Sequence, residues 1–309
     1  MMIKGLSTCL LLVIAALSGR GIQPERPHGA PDLMEAGLVE DTSASSNPGE
    51  DPCSGLSLSR GLKYTDSSQN LLDVATRGDR GAASLPVLLF IAGESFTNEG
   101  TSTDWAVRDQ AMCLAARNGM VGVSMSYRRA PAYPWPSGAK DVAAAVSWIH
   151  QNIDLFGGDA REIIAIGYSV GAFHLASFLA HKELQVADSD VAAAVLLSGI
   201  YHPGKEGNDD ERSYFGADVS KYGDRSAFPG ILEVDAPIVL AWSAADPPRL
   251  IAEAEQLRQR LCATGHCPRI AELMDRETPA AVFDLHGSGK SLAERTYQLI
   301  SQIEARGLP

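Results

Sequence analysis

Apolar residues in this chain fall into short continuous runs separated by stretches of helical spacing. Pro86 to Ala92 reads PVLLFIA, and Ile163 to Ile166 is apolar throughout. Val121 to Tyr127, Val191 to Leu197 and Pro237 to Trp242 have the same form. Runs of this length, bounded by glycine, proline or polar residues, predict strands buried on both faces. Between them, apolar positions recur at helical spacing. Thr103 to Asn118 carries Trp105, Val107, Met112, Leu114 and Ala115; Asp141 to Asn152 carries Val142, Ala145, Val146 and Ile149. Phe173, Ala176, Ser177 and Ala180 continue the pattern after the Ile163 run, and Pro247 to Cys262 predicts a further helix. Leu58 to Thr65 and Leu71 to Ala75 predict paired strands on either side of Asp66 to Asn70. A short strand is expected at Arg269 to Met274 and a closing helix at Ser291 to Ala305. Strands alternating with helices predict an α/β class fold, a mostly parallel central sheet with helices on both faces. No internal repeat is visible.

The junction at Gly167-Tyr168-Ser169-Val170-Gly171 adds chemistry to this pattern. It spells strand, G-x-S-x-G, helix, the sequence form of a turn that lifts a serine hydroxyl above a sheet. Glycine is needed where strand and helix backbones pass too closely for a side chain. A serine hydroxyl is a weak nucleophile and needs a base oriented by a carboxylate. In the α/β-hydrolase arrangement these follow as Ser, Asp or Glu, then His. His174 and His181 sit in or at the end of the helix after Ser169, where a side chain cannot turn back to the serine. His202 comes too early in the chain, and His266 lies between two cysteines. His286 follows the last apolar run and is the expected base. Asp246 ends PIVLAWSAAD, directly after a buried strand, and is the expected acid; Asp275 and Asp284 are its rivals. The oxyanion hole needs two backbone N–H groups, one from Val170 and one from the loop opening at Ala92-Gly93-Glu94-Ser95-Phe96. Tyr168, beside the nucleophile, and Tyr201 are the candidate substrate contacts.

Residues 201–235 break the rhythm, with prolines, glycines, acids and the aromatics Tyr201, Tyr214, Phe215, Tyr222 and Phe228. They leave the carboxyl end of a strand, where ligands bind in open α/β sheets. They form either a pocket wall or a plain surface loop.

The amino-terminal region reads differently. Lys4 precedes an apolar core from Cys9 to Leu17, and Ala16-Leu17-Ser18 supplies small residues. Residues 1–18 therefore read as a secretory signal peptide, or alternatively a weak membrane anchor, and are too short for a spanning helix. Residues 19–55 are rich in proline, glycine, serine and acids, a flexible linker or partial lid. Residues 56–309 form the catalytic domain. The implied location is secreted or periplasmic, where Cys262 and Cys267 are expected to pair; a metal site with His266 would have too few ligands. Cys113, on the apolar face of a helix, reads as a buried thiol. The chain has 309 residues, 45% hydrophobic and 21% charged, an ordinary globular composition. Its net charge of −12 argues against nucleic acid as a partner.

Longer motifs surround these residues. Tyr127-Arg128-Arg129-Ala130-Pro131 is similar to a YRLAP element. Phe156 through Ile163 is similar to a GGDPxRI lead into the serine turn, and Tyr214-Phe215-Gly216 to a recurring element before the acid strand. Tyr64 through Asp73 matches paired amino-terminal strands. Together they resemble bacterial carboxylesterases of the α/β-hydrolase superfamily, near the hormone-sensitive-lipase-like and feruloyl-esterase-like branches. The resemblance covers roughly 58–306. It implies hydrolysis of a small-molecule carboxylic ester by Ser169, Asp246 and His286, without metal or organic cofactor. Two motifs depart from the pattern. The oxyanion HGGGF stands as Ala92-Gly93-Glu94-Ser95-Phe96, and the GDSAGG turn as Gly167-Tyr168-Ser169-Val170-Gly171-Ala172. Backbone N–H groups of Glu94 or Ser95 would join Val170 in the hole, with the Glu94 carboxylate turned outward, held by Arg128 or Arg129, or opposing the developing charge. A peptidase or amidase on the same fold, and a non-catalytic binding protein, are the competing functions.

Overall fold

The computed structural model describes residues 51–78, 84–93, 95–97, 102–187, 189–204 and 207–273. The apolar runs resolve into strands β1 (Ser57–Lys63), β2 (Leu71–Thr76), β3 (Leu85–Ile91), β4 (Val121–Met125), β5 (Gly158–Tyr168), β6 (Ala193–Leu197), β7 (Ile238–Ser243) and β8 (Arg269–Leu273). The periodic stretches form helices α1 (Ser102–Arg117), α2 (Ser137–Asn152), α3 (Val170–Ala180) and, numbered in chain order, α5 (Pro248–Ala263); α4 (Asp209–Phe215) lies in the segment that breaks the rhythm, where no helix is expected. All eight strands share one sheet in the order β1-β2-β4-β3-β5-β6-β7-β8. β1 and β2 pair antiparallel, as do β2 and β4; every other neighbouring pair is parallel. The predicted closing helix lies outside the described residues.

The period of two decides which face each strand residue covers. In β3, Val87, Leu89 and Ile91 join a core containing Val142, Val146 and Ile149 of α2, Leu175 and Leu179 of α3, and Leu257 and Leu261 of α5. Their neighbours Leu88 and Phe90 turn the other way, toward Val107, Ala111 and Leu114 of α1. β5 repeats the division, with Ile163 and Ala165 on the first face and Ile164 and Ile166 on the second. Strands buried on both faces explain why the central runs read as continuous rather than alternating.

α2 begins at Ser137, four residues ahead of the expected Asp141. The polar and small residues of its first turn conceal it in sequence, yet Ser137, Gly138, Ala139 and Asp141 are all buried. Gly138 is required there, since a Cβ would lie 2.4 Å from the His174 ring.

Cys113 is not a free thiol. It is bonded to Cys53, 60 residues earlier, which sits within the stretch expected as linker. Arg117 reinforces the attachment, its Nε donating to the Pro52 carbonyl at 2.8 Å and Nη2 to the Ser54 carbonyl at 2.9 Å. Cys262 and Cys267 are also bonded to each other. Closing a loop as long as 53–113 removes enough unfolded-state entropy to stabilise the fold by about 4 kcal/mol. Replacing Cys53 and Cys113 together by alanine is therefore expected to lower the unfolding free energy by an amount of that order. Chemical denaturation checks this, and an unchanged midpoint would show the bridge to be without energetic weight.

Candidate active site

Three neighbouring parallel strands, β5, β6 and β7, deliver polar residues to their carboxyl ends. β5 ends at Tyr168 and α3 starts at Val170, so Ser169 alone makes the turn. Its φ of 51° and ψ of −114° are uncommon for a residue with a side chain. Such strain persists only where the surroundings over-determine it, and it concentrates at functional sites. Here they do: Ser169 N–H donates to the Leu197 carbonyl at 2.9 Å, and its carbonyl accepts from Phe173 N–H at 3.2 Å. The glycines on either side permit the close passage. A Cβ on Gly167 would lie 2.6 Å from Ala172 Cα, and one on Gly171 would lie 2.2 Å from the Ile91 carbonyl oxygen. Gly93 is constrained in the same way by the ring of Tyr168, 2.4 Å from where its Cβ would stand.

β6 is followed directly by a second serine with a left-handed backbone, Ser198, at φ 49°. Its buried hydroxyl donates to Asp246 Oδ2 at 2.6 Å. The same oxygen accepts from Ser243 N–H, at the end of β7, at 2.9 Å. Asp246 is thereby held over the strand ends next to the one that carries Ser169, half-exposed and with a fixed orientation. Ser198 escaped the reading of the sequence. Its only signal is a Ser-Gly pair directly after a buried run, and the positive φ of a serine is invisible there.

Of the two flanks expected for an oxyanion hole, Val170 is the first residue of α3, where backbone N–H groups have no partner within the helix. Ser95 lies in the loop after β3. That loop is gripped by Asp210 of α4, which accepts from Ser95 Oγ at 2.7 Å, Phe96 N–H at 3.1 Å and the Thr97 hydroxyl. Glu94 and His286 lie outside the described residues, as do Asp275 and Asp284. Arg128, named as a possible partner of Glu94, bonds the buried Asp141 through its Nε and Nη2, at 2.9 and 2.7 Å.

The histidines set aside as bases are engaged elsewhere. His174 is completely enclosed by Phe96, Tyr127, Phe173 and Tyr214. Burial, with a smaller contribution from Arg129, pushes its imidazole down to about 3, so it is neutral at physiological pH. His181 Nε2 lies 2.9 Å from the Ser226 carbonyl, and His202 Nδ1 lies 3.0 Å from Ser226 Oγ. His266 Nδ1 lies 3.1 Å from the Leu232 carbonyl.

Tyr201 has to be corrected. It has no exposed surface and belongs to the main core, so it does not line a pocket. Its N–H donates to Glu253 Oε2 at 3.0 Å, turning the ring inward beneath Gly199. The insertion it opens is not a plain surface loop either. Tyr214, Phe215 and Tyr222 are buried in a small aromatic core with Phe96 and Phe173. Tyr168, the other expected contact, is half-buried and packs against the core on the α1 side.

A cavity of about 760 Å³ opens at the other edge of the sheet, lined by residues that include Arg161, Ile164, Phe178, Lys182, Val191 and Pro237. These lie in β5, just ahead of β6 and β7, and at or just after the end of α3, away from the serine turn. Ligands of open α/β sheets bind at the carboxyl ends, and the serine turn lies there. Among the described residues no helix is long and apolar enough to cross a membrane.

An eight-stranded, mostly parallel sheet, helices on both faces and a strained serine between the fifth strand and the third helix define an α/β-hydrolase fold. Residues 72–197 match the BD-FAE family model, a stretch that contains the serine turn and the loop after β3. The chain is 37% identical to Esterase LipC of Mycobacterium tuberculosis over 152 residues, 46% of this chain and 36% of that protein. It is 30% identical to Esterase LipQ of the same organism over 243 residues, 73% of this chain and 52% of that protein. It thus spans about half or less of the length of these relatives. Esterase B of Lactobacillus Rhamnosis shares the fold at a TM-score of 0.68 and 15% identity, with 82% of this chain and 86% of that one covered. The sequence relationship is to carboxylesterases of the α/β-hydrolase superfamily.

Proposed function

We propose that the protein hydrolyses carboxylic esters through an acyl-enzyme on Ser169, with His286 as general base and Asp246 as the acid that orients it. The observation that carries this reading is the strained Ser169 turn beside Asp246, which Ser198 and Ser243 hold at the same sheet edge. Both of those bonds fall on Oδ2, and the proposal gives Oδ1 to His286. Ser169 Oγ attacks the ester carbonyl while His286 takes its proton. The oxygen anion that forms is met by the N–H of Val170 and by one from Glu94 or Ser95. Collapse expels the alcohol, which receives the proton from His286. Water, deprotonated by the same histidine, then attacks the acyl-enzyme and releases the acid. No metal or organic cofactor takes part in this reading.

The esterase relatives favour esters over peptides. A panel of p-nitrophenyl esters of increasing acyl length, run beside a peptide substrate, tests the choice. Turnover is expected for esters and not for the peptide; comparable peptide turnover would move the assignment to an amidase or peptidase. The signal-peptide reading of residues 1–18 makes export part of the proposal. The two disulfides support it, since such bonds persist in oxidising compartments.

A further inference from the structure

We propose that Asp210 is a positioning residue for the oxyanion loop, and that α4 braces this loop against the segment carrying Asp246. The inference rests on Ser169 being the nucleophile. A loop whose N–H groups must meet a developing negative charge has to be fixed before the reaction begins. Residues 95–97 include no glycine, and a single carboxylate fixes them from outside. Asp210 Oδ1 accepts from the hydroxyls of Ser95 and Thr97, and Oδ2 from Phe96 N–H. Ser95 Oγ in turn accepts from Thr97 N–H at 3.0 Å. Three consecutive residues are thus tied to one side chain by charge-assisted bonds, the stronger kind.

The same helix grips the loop by its ring. Phe96 stacks on Tyr214 with centroids 4.6 Å apart, and meets Phe215 edge-on at 5.3 Å. α4 is itself anchored on two sides. Glu211, adjacent to Asp210, forms a two-pronged pair with Arg249 of α5 at 2.6 and 2.9 Å. Arg249 is three residues after Asp246 in the chain. On the other side the Tyr214 hydroxyl accepts from Gly138 N–H at 3.2 Å, and its carbonyl accepts from Trp135 N–H at 2.9 Å. Asp210 and Glu211 therefore link the loop that would stabilise the anion to the helix that follows the acid. Neither aspartate oxygen needs to touch substrate for this to work.

Asp210→Ala, Asp210→Asn and Ser169→Ala, each in the full chain, test the proposal with p-nitrophenyl butyrate and a trifluoromethyl ketone. The ketone forms a tetrahedral adduct on the serine and depends on the oxyanion hole, whereas KM for the ester depends on it far less. Loosening one side of the hole should lower kcat for Asp210→Ala roughly 10- to 100-fold, less than outright loss of a donor. KM should stay within about twofold, and ketone affinity should fall in step with kcat. Asp210→Asn keeps one acceptor oxygen and should lose less on both measures. If Asp210→Ala does not fold, Asp210→Asn and the double variant Ser95→Ala/Thr97→Val carry the same comparison. Unchanged kcat and ketone affinity in folded variants, or a rise in KM alone, would overturn the positioning role. Full activity in Ser169→Ala would instead overturn the nucleophile assignment, and the inference with it.

Discussion

Ser169→Ala should abolish ester turnover, lowering kcat by about 10⁶, with a fold that melts as the parent does. The loss is that large because the proposed covalent route requires the serine oxygen, and what remains is catalysis by binding and the oxyanion hole alone. A fluorophosphonate should label the parent at Ser169, mapped by mass spectrometry, and leave the variant unlabelled. His286→Ala should cost a comparable factor, and Asp246→Asn about 10⁴, since an amide holds the wrong imidazole tautomer. Asp246 is the informative member. Its Oδ2 is fixed by Ser198 and Ser243, an arrangement that serves an orienting carboxylate. A nearly silent Asp246→Asn beside a crippling Asp275→Asn or Asp284→Asn would transfer the role. Labelling of another residue in active protein would remove Ser169 from it.

Gly171→Ala is expected to damage the fold severely at the serine turn. The new methyl would stand 2.2 Å from the Ile91 carbonyl oxygen and 2.6 Å from that of Ala92. Both are backbone atoms at the end of a central strand, so no rotamer change relieves the clash. Either α3 is pushed off β3 or the end of β3 is displaced, and overpacking of this kind costs about 3 kcal/mol. Activity should fall as well, because Ile91 and Ala92 lead into the loop that Asp210 holds. Gly223→Ala provides the contrast, having open space where its methyl would go. Urea unfolding of the two variants should show a large loss for the first and almost none for the second. Equal midpoints would mean that the close approach at the serine turn is easily relaxed.

The strands and most helices are legible in the sequence because a sheet buried on both faces leaves unbroken apolar runs. The serine turn is legible for a related reason: glycine on each side is a steric requirement that survives as a local motif. Contacts between distant segments leave no such trace. Nothing near Cys113 points to Cys53, and the helical spacing that suggests a buried thiol holds equally for a buried half-cystine. Asp210 looks like one acid among several in an irregular segment; only the folded chain brings it onto Ser95, Phe96 and Thr97. Tyr201 misleads in the opposite sense. An aromatic leaving the carboxyl end of a strand suggests a pocket wall, but two backbone bonds to Glu253 turn the chain so that the ring enters the core. Ser198 shows the limit most plainly, since its importance rests on a backbone angle and on a partner 48 residues away.

The bond between Cys53 and Cys113 also changes what a protease can do to this molecule. It closes β1, β2, β3 and the loop after β3 into a covalent ring. A single backbone cut within that ring opens it without freeing either piece. The nicked chain would keep its mass in the absence of a reductant and separate into two fragments only when one is added. Two cuts are needed before anything is shed, so the segment that supplies one side of the proposed oxyanion hole stays tethered after a first cleavage.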